Sequence, residues 1–424
     1  VGYRQLLREN RDFRYLWFGQ LVSEVGDWFN NIVLLAIVTE LTGSSAFAIS
    51  IYIISRHLPL FVFGPIAGVL SDRLSRRGIM IAADLIRAAL ALSFIFIRES
   101  KDLWILYVSS SALAMLSILF LAAKRASIPN IAPGKDLLNA NALSNSTNGL
   151  TLALGSGLGG IVAIQFGRTP VFVLNSVSFL FSLVMILMVR IPQPGKGTAS
   201  LPGNFLTSSW REFREGISYI KSVPIVLAIM WLTAGWSFGN GSARVVYPLF
   251  GAAFADAMHK ADDFGISILY VAMGTGSVIG TIVVARFLRL ERIDLTKTIA
   301  IAVIWDGLCL TLFSFMRSLW LGAFLLMCRD IGFAIWRSAQ QTELMRETDD
   351  AMRGRVFATY ETISALLMMS TMVLAPPAIN RIGYPMVTTV AGTLIIATGV
   401  LWFSKVVLSR GQLSKQPRPG QSET

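Results

Sequence analysis

This 424-residue chain has only two cysteines and two histidines. Cys309 and Cys328 both lie in long apolar stretches, and His57 and His259 form no paired motif. A disulfide framework and a Cys/His metal centre are therefore excluded as expectations, and no cofactor is expected. Charge is scarce too, at 15% of residues, against about a quarter in soluble domains. No Gly-Lys phosphate loop and no hydrolase elbow occurs, which argues against an ATP-driven pump and a membrane enzyme. Nothing reads as a cleaved signal peptide, although the first residue is Val and a leader could precede it.

Apolar residues fill the space that charge leaves, at 54% of the chain. Uncharged runs cover 103–123, 169–189, 222–243, 264–285 and 382–404. Each is near or above the roughly 20 residues a helix needs to cross a bilayer core. The reading is an all-α membrane protein with about twelve transmembrane helices. The spans are placed at 15–41, 46–70, 79–97, 103–123, 139–164, 169–190, 223–249, 264–287, 297–316, 319–341, 354–379 and 384–406. The amino terminus, the even-numbered loops and the tail carry 27 of the 37 Lys and Arg residues. By the positive-inside rule both termini are cytoplasmic, in a plasma membrane or an organelle envelope. The net charge of +12 then reflects topology, and no nucleic-acid partner is expected.

Features recur about half a chain apart. Gly68 precedes the charged turn after span two, and Gly280 precedes "ARFLRLERIDL" after span eight. Arg125 ends span four and Arg337, 212 residues on, ends span ten. This suggests two pseudo-repeated six-helix halves, 1–191 and 223–407. Between them, 192–222 is a Pro/Gly-rich linker followed by an amphipathic stretch. There Trp210, Phe213, Ile217 and Ile220 fall at helical spacing, and Ser208 or Ser209 is the expected cap of an interfacial helix. Residues 408–424 form a tail.

Between spans two and three stands "GVLSDRLSRR", of the form Gly-x-x-x-Asp-Arg-x-x-Arg-Arg. With twelve spans in two halves, the sequence resembles the major facilitator superfamily. "FRYLWFGQLVSEVGDWF", "RHLPLFVFGPIAGVLSDRLSRR", "LLNANALSN", "FVLNSVSFL", "REFREGISYI" and "MRGRVFATY" extend the resemblance to its macrolide-efflux and enterobactin-export branch. The resemblance implies a latch at Gly68, Asp72, Arg73, Arg76 and Arg77 that joins the halves while the cavity faces outward. Gly68 would let spans two and eleven approach, and Asp72 would face the start of span eleven near Gly354. The plainer reading is that the arginines only fix topology. "GSGLGG", with Gly155, Gly157, Gly159 and Gly160, matches a dinucleotide fingerprint literally, but inside an uncharged run it cannot be one. It resembles an antiporter signature with Ser156 in place of proline; close helix packing explains it equally well.

Charges inside spans cost at least ~2.5–3.5 kcal/mol each and need reasons. Asp27, with Glu24 one turn away, lies near the midplane of span one; Arg56 and His57 reach a similar depth in span two. Desolvation favours the neutral form of a carboxylate and a nearby arginine the charged form, so a proton could be exchanged there. A static Glu24/Asp27–Arg56 ion pair is the alternative. Asp306 and Arg329 are expected to form a structural pair. Asp330 and Glu361 are further proton-coupling candidates, Glu361 also as a gate acid or a partner of the turn's arginines. Asp84 and Arg87 read as a snorkelling pair near a helix end. Asn141, Asn145, Asn148, Trp231, Trp236, Asn240 and Tyr270 are candidate cavity residues for an amphipathic organic molecule.

The function expected is secondary active transport: proton-coupled export of a small amphipathic compound by alternating access. Lysolipid translocation on the same fold, or a non-transporting scaffold or sensor, are the alternatives. Expected partners are a small-molecule substrate, protons and membrane lipids, with a monomer sufficient.

Overall fold

The computed structural model describes residues 3–191, 205–287 and 294–408. The linker ahead of 205 and the tail beyond 408 lie outside these residues. Among the described residues there is no β-strand. The helices are α1 (Tyr3–Glu9), α2 (Arg11–Leu41), α3 (Ala46–Arg73), α4 (Arg76–Ser93), α5 (Leu103–Ile131), α6 (Lys135–Phe166) and α7 (Arg168–Leu187). They continue as α8 (Phe205–Ser222), α9 (Pro224–Ala257), α10 (Asp262–Phe287), α11 (Leu295–Phe313), α12 (Leu319–Arg346), α13 (Arg353–Ile382) and α14 (Tyr384–Trp402). Among the described residues, eleven are long and apolar enough to span a membrane, or twelve when the bent pair α8–α9 counts as one span. Several run past the spans expected from the sequence, α5 by eight residues and α9 by eight. An uncharged run marks only the hydrocarbon core, whereas a helix continues into the polar interface, where Lys124 and Arg125 no longer end it.

Helix starts follow local chemistry. The Asn10 side chain accepts from the Phe13 N–H at 2.9 Å and the Ser75 hydroxyl from the Gly78 N–H at 3.1 Å. Such caps satisfy backbone donors that the first turn leaves open. Gly167 and Gly383 adopt φ of +83° and +81°, a region closed to most side chains, and separate α6 from α7 and α13 from α14. The same turn thus recurs at matching places in the two sequence repeats.

The chain divides into two compact units: Val1–Gly203 with Arg244–Thr275 and Arg317–Ala323, and Asn204–Ala243 with Gly276–Met316 and Phe324–Thr424. In the first, α2 packs on α6 and α7, α3 on α5, and α4 on α5 and α7. Contact is closest where glycines stand: a Cβ at Gly155 would lie 2.8 Å from the Val25 carbonyl, and one at Gly159 2.7 Å from Phe29 Cα. In the second unit α11 packs on α14 and α13 on α8 and α14. The helix α8 begins at Phe205, so Ser208 and Ser209 lie inside its first turns and do not cap it. It is docked rather than free: Glu215 pairs with Arg355 at 2.9 Å and the Tyr219 hydroxyl accepts from the Asp349 N–H at 3.0 Å.

Candidate transport site

In the first unit, polar side chains converge near the middles of apolar helices. Asp27 sits at the centre of α2, partly exposed, with no hydrogen bond or ion pair among the described residues. Arg87 and Arg56 act on it through space. Arg56 instead donates from Nη1 to the Tyr52 hydroxyl at 3.2 Å, one turn back on α3, and Tyr52 donates to Asn31 Oδ1 at 2.8 Å. The direct ion pair to Glu24 or Asp27, one of the two readings of the sequence, is not made, because an i, i+4 tyrosine takes the guanidinium. Glu24 accepts from Gln20, lies 3.5 Å from the Thr151 hydroxyl and feels the charge of Lys124, which is only 2% exposed.

His57 and Arg244 complete this cluster. A carbonyl can only accept, so His57 Nδ1 donates to Ile53 O at 2.8 Å, and Nε2 is left to accept from Arg244 Nη1 at 3.2 Å. The Tyr270 ring of α10 lies 6.1 Å from that of Trp28, and its phenol feels both Arg56 and Arg244.

Asp84 and Arg87 do not snorkel. Both are buried and bonded to each other, and the guanidinium lies 4.6 Å from the Phe120 ring and 4.5 Å from the Phe179 ring. Cation–π contacts on two faces replace water for a charge that has none.

In the second unit Arg329 and Asp306 meet at 3.2 Å. Asp330 lies 3.9 Å from the same guanidinium, Asn240 accepts from it at 2.8 Å, and Trp236 Nε1 donates to Asp306 at 3.1 Å. Trp236 also stacks on Phe333 at 5.2 Å and packs against Trp336 at 4.6 Å. Trp236 and Asn240, expected on a cavity wall, are thus buried partners of the ion pair. A buried pair demands such donors and acceptors, and an amphipathic wall residue looks the same in sequence. Glu361, a gate-acid candidate, pairs with Arg337 of its own unit at 3.3 Å.

Of the other cavity candidates, Trp231 is 71% exposed and faces an apolar groove of about 610 Å³ between α9 and α14. Asn148 is exposed on α6, and the Asn141 and Asn145 side chains lie outside the described residues. Among the described candidates, Tyr270 joins the charged cluster.

The arginine turn ties down its own unit. Arg76 Nη1 donates to Ala126 O at 2.6 Å, and Arg77 donates to Ile186 O and Leu187 O at the end of α7. A cation on the last carbonyls of a helix is the favourable end of its dipole. The Asp72 side chain lies outside the described residues. Within each unit's described residues, a Cβ at Gly68 or at Gly354 meets no heavy atom within 4 Å. The "GSGLGG" glycines do pack closely. Gly155 and Gly159 lie against α2, while Cβ atoms at Gly157 and Gly160 would lie 3.2 Å from Val271 and 2.5 Å from Ser267 of α10. Beyond that seam Arg168 pairs with Glu40 and with Asp263, both at 2.7 Å.

Sequence reading missed the roles of Tyr52, Lys124, Arg168 and Arg244. Arg244 had a signal, since it is a charge within a span. Tyr52 had only its i, i+4 spacing to Arg56.

A family model described as the Major Facilitator Superfamily matches residues 16–371. Macrolide efflux protein A of Streptococcus pyogenes is 25% identical over 393 residues, 92% of this chain and 94% of that protein. The putative bacilysin exporter BacE of Bacillus subtilis is 25% identical over 279 residues, 65% of this chain and 66% of that protein. Among solved structures, the nucleoside transporter NupG superposes with a TM-score of 0.74 at 11% identity, covering 92% of this chain and 99% of that one. A peptide transporter, POT, gives 0.73 at 11%, covering 97% and 99%. These two likenesses concern the fold alone.

Proposed function

The chain belongs to the major facilitator superfamily, and on that premise we propose that it exports a small amphipathic organic molecule in exchange for protons. It is a multi-pass integral membrane transporter and not an enzyme. Export is supported by relatives named as efflux and exporter proteins. Such relatives also favour a bacterial plasma membrane, with both termini in the cytoplasm by the distribution of basic residues. Alternating access would move the two six-helix halves about the site, with Asp72, Arg73, Arg76 and Arg77 as the latch of the opposite state.

The observation that carries proton coupling is Asp27. It is a partly exposed carboxylate at mid-helix, bound by no cation among the described residues but within the field of Arg56 and Arg87. An intramembrane acid without a structural partner is a functional group by default. The test is proton flux in proteoliposomes containing a pH dye, with macrolides, siderophores and lysolipids added in turn. One class is expected to drive proton movement in the wild type, and Asp27→Asn to abolish it while thermal unfolding is unchanged. Proton movement that survives in Asp27→Asn overturns the assignment.

A second reading is lipid or lysolipid translocation. The groove between α9 and α14 favours it, since its almost wholly apolar lining suits an acyl chain. Labelled lysolipid that crosses without proton movement in the same vesicles would select it.

A further inference from the structure

The helix α8 has two unlike faces. Gly216 and Ile220, one turn apart, are buried on its inner side. There a Cβ at Gly216 would lie 3.0 Å from the Arg355 carbonyl of α13. The contacts of Glu215 with Arg355 and of Tyr219 with Asp349 hold the same side. On the opposite side Arg211, Arg214, Ser218 and Lys221 recur at alternating steps of three and four residues, and all four are exposed. Glu215 also reaches Arg211, at 3.8 Å, whereas Arg214 and Lys221 make no hydrogen bond or ion pair among the described residues. Position 212, the other acid of the helix, stands one turn before Gly216 and so in the docked register. The outer face is therefore basic.

Its depth follows from α13. That helix has 30 residues, about 45 Å at 1.5 Å per residue, against a hydrocarbon core of about 30 Å. Centred on the core, it leaves about 7 Å at each end in the headgroup layer, and Arg355 falls in that part. The helix α8 meets α9 at a bend of 113°, so it runs across the spanning helices and close to the membrane plane. An in-plane helix held by one flank to a spanning helix turns its other flank sideways, to the surrounding headgroups. We propose that the outer face of α8 is a docking site for anionic phospholipid headgroups, whose phosphodiester oxygens accept from Arg211, Arg214 and Lys221. The arginine forks suit phosphate oxygens in pairs, and the lysine serves as a point charge. Each basic residue beside an anionic surface strengthens association about fivefold. Docking of this kind depends on neither proton coupling nor the class of substrate.

The test uses the full chain with Ser218→Cys in a Cys309→Ala/Cys328→Ala background, labelled with bimane and placed in phosphatidylcholine vesicles. Quenching is titrated with phosphatidylglycerol or phosphatidylcholine that carries a nitroxide close to the headgroup. Both lipids are expected to quench, and phosphatidylglycerol with an apparent association constant about tenfold higher, or more. Arg211→Gln/Arg214→Gln/Lys221→Gln should bring the two lipids within about twofold, while Arg211→Lys/Arg214→Lys keeps most of the preference. Salt at about 1 M should erase the preference, because exposed charges are then screened beyond about 3 Å. Thermal unfolding of the triple variant should match that of the labelled parent. If that variant does not fold, Arg214→Gln takes its place, with an expected loss of about fivefold. Equal quenching by the two lipids, or a preference that survives removal of the charges, would overturn the site. So would a bimane that neither lipid quenches, since the face would then look into water and serve a soluble acidic partner.

Discussion

Arg87 shows how a single charged residue can be held inside a membrane helix. Its charge is matched by Asp84, and its flat faces are covered by Phe120 and Phe179. Removing one partner strands the other in a buried site, so Arg87→Met should destabilise the protein by about 3–5 kcal/mol. The double variant Asp84→Leu/Arg87→Met should recover most of that loss, as read by thermal unfolding in detergent. A single variant as stable as the wild type would show the pair to be dispensable. Trp236 is the parallel case in the second unit, where its indole N–H supports Asp306. Trp236→Phe keeps the ring stack but deletes the donor, which should cost about 1–3 kcal/mol of stability. Substrate affinity is expected to stay the same, whereas a cavity-wall tryptophan would change affinity and spare stability.

Among elements, α6 packs on two sides through one glycine stretch. At Gly159 a Cβ would press on the backbone of Phe29, which has nowhere to retreat, so Gly159→Ala should cost about 1–3 kcal/mol. Gly68 offers the contrast. Its open surroundings predict that Gly68→Leu changes stability by no more than about 0.5 kcal/mol. If the arginine turn closes against the other half during turnover, that variant should still slow transport, and unchanged rates would reduce the turn to a topology signal. The elements themselves were legible because hydrophobic length is a direct consequence of bilayer thickness. Their ends were not, since helices such as α5 outrun the uncharged run that reveals them. The start of α8 at Phe205 was hidden for a related reason: serine is as acceptable inside a first turn as at a cap.

For the molecule as a whole, the sequence exposed which charges are buried but not which of them meet. Asp306 and Arg329 could be paired by depth alone, whereas Arg56 turned to a tyrosine on its own helix and Arg244 to a histidine on another. Pairing across helices depends on rotation about each axis, which composition and spacing leave open. The same limit hid the clasp at the end remote from the arginine turn. There Arg168, at the start of α7, holds Glu40 of α2 and Asp263 of α10, a helix of the second sequence half. If transport runs by the alternating access proposed above, this end has to open, and the clasp and the glycine seam between α6 and α10 open together. A contribution of 1–2 kcal/mol from the clasp implies that Arg168→Gln raises the open population about 5–30-fold. The measurement is labelling of Ser267→Cys, opposite Gly160, by a membrane-impermeant maleimide in a Cys309→Ala/Cys328→Ala background. Faster labelling in the Arg168→Gln protein is expected. An unchanged rate would mean that helix packing alone keeps the seam shut, with the ion pairs resting on a surface already closed.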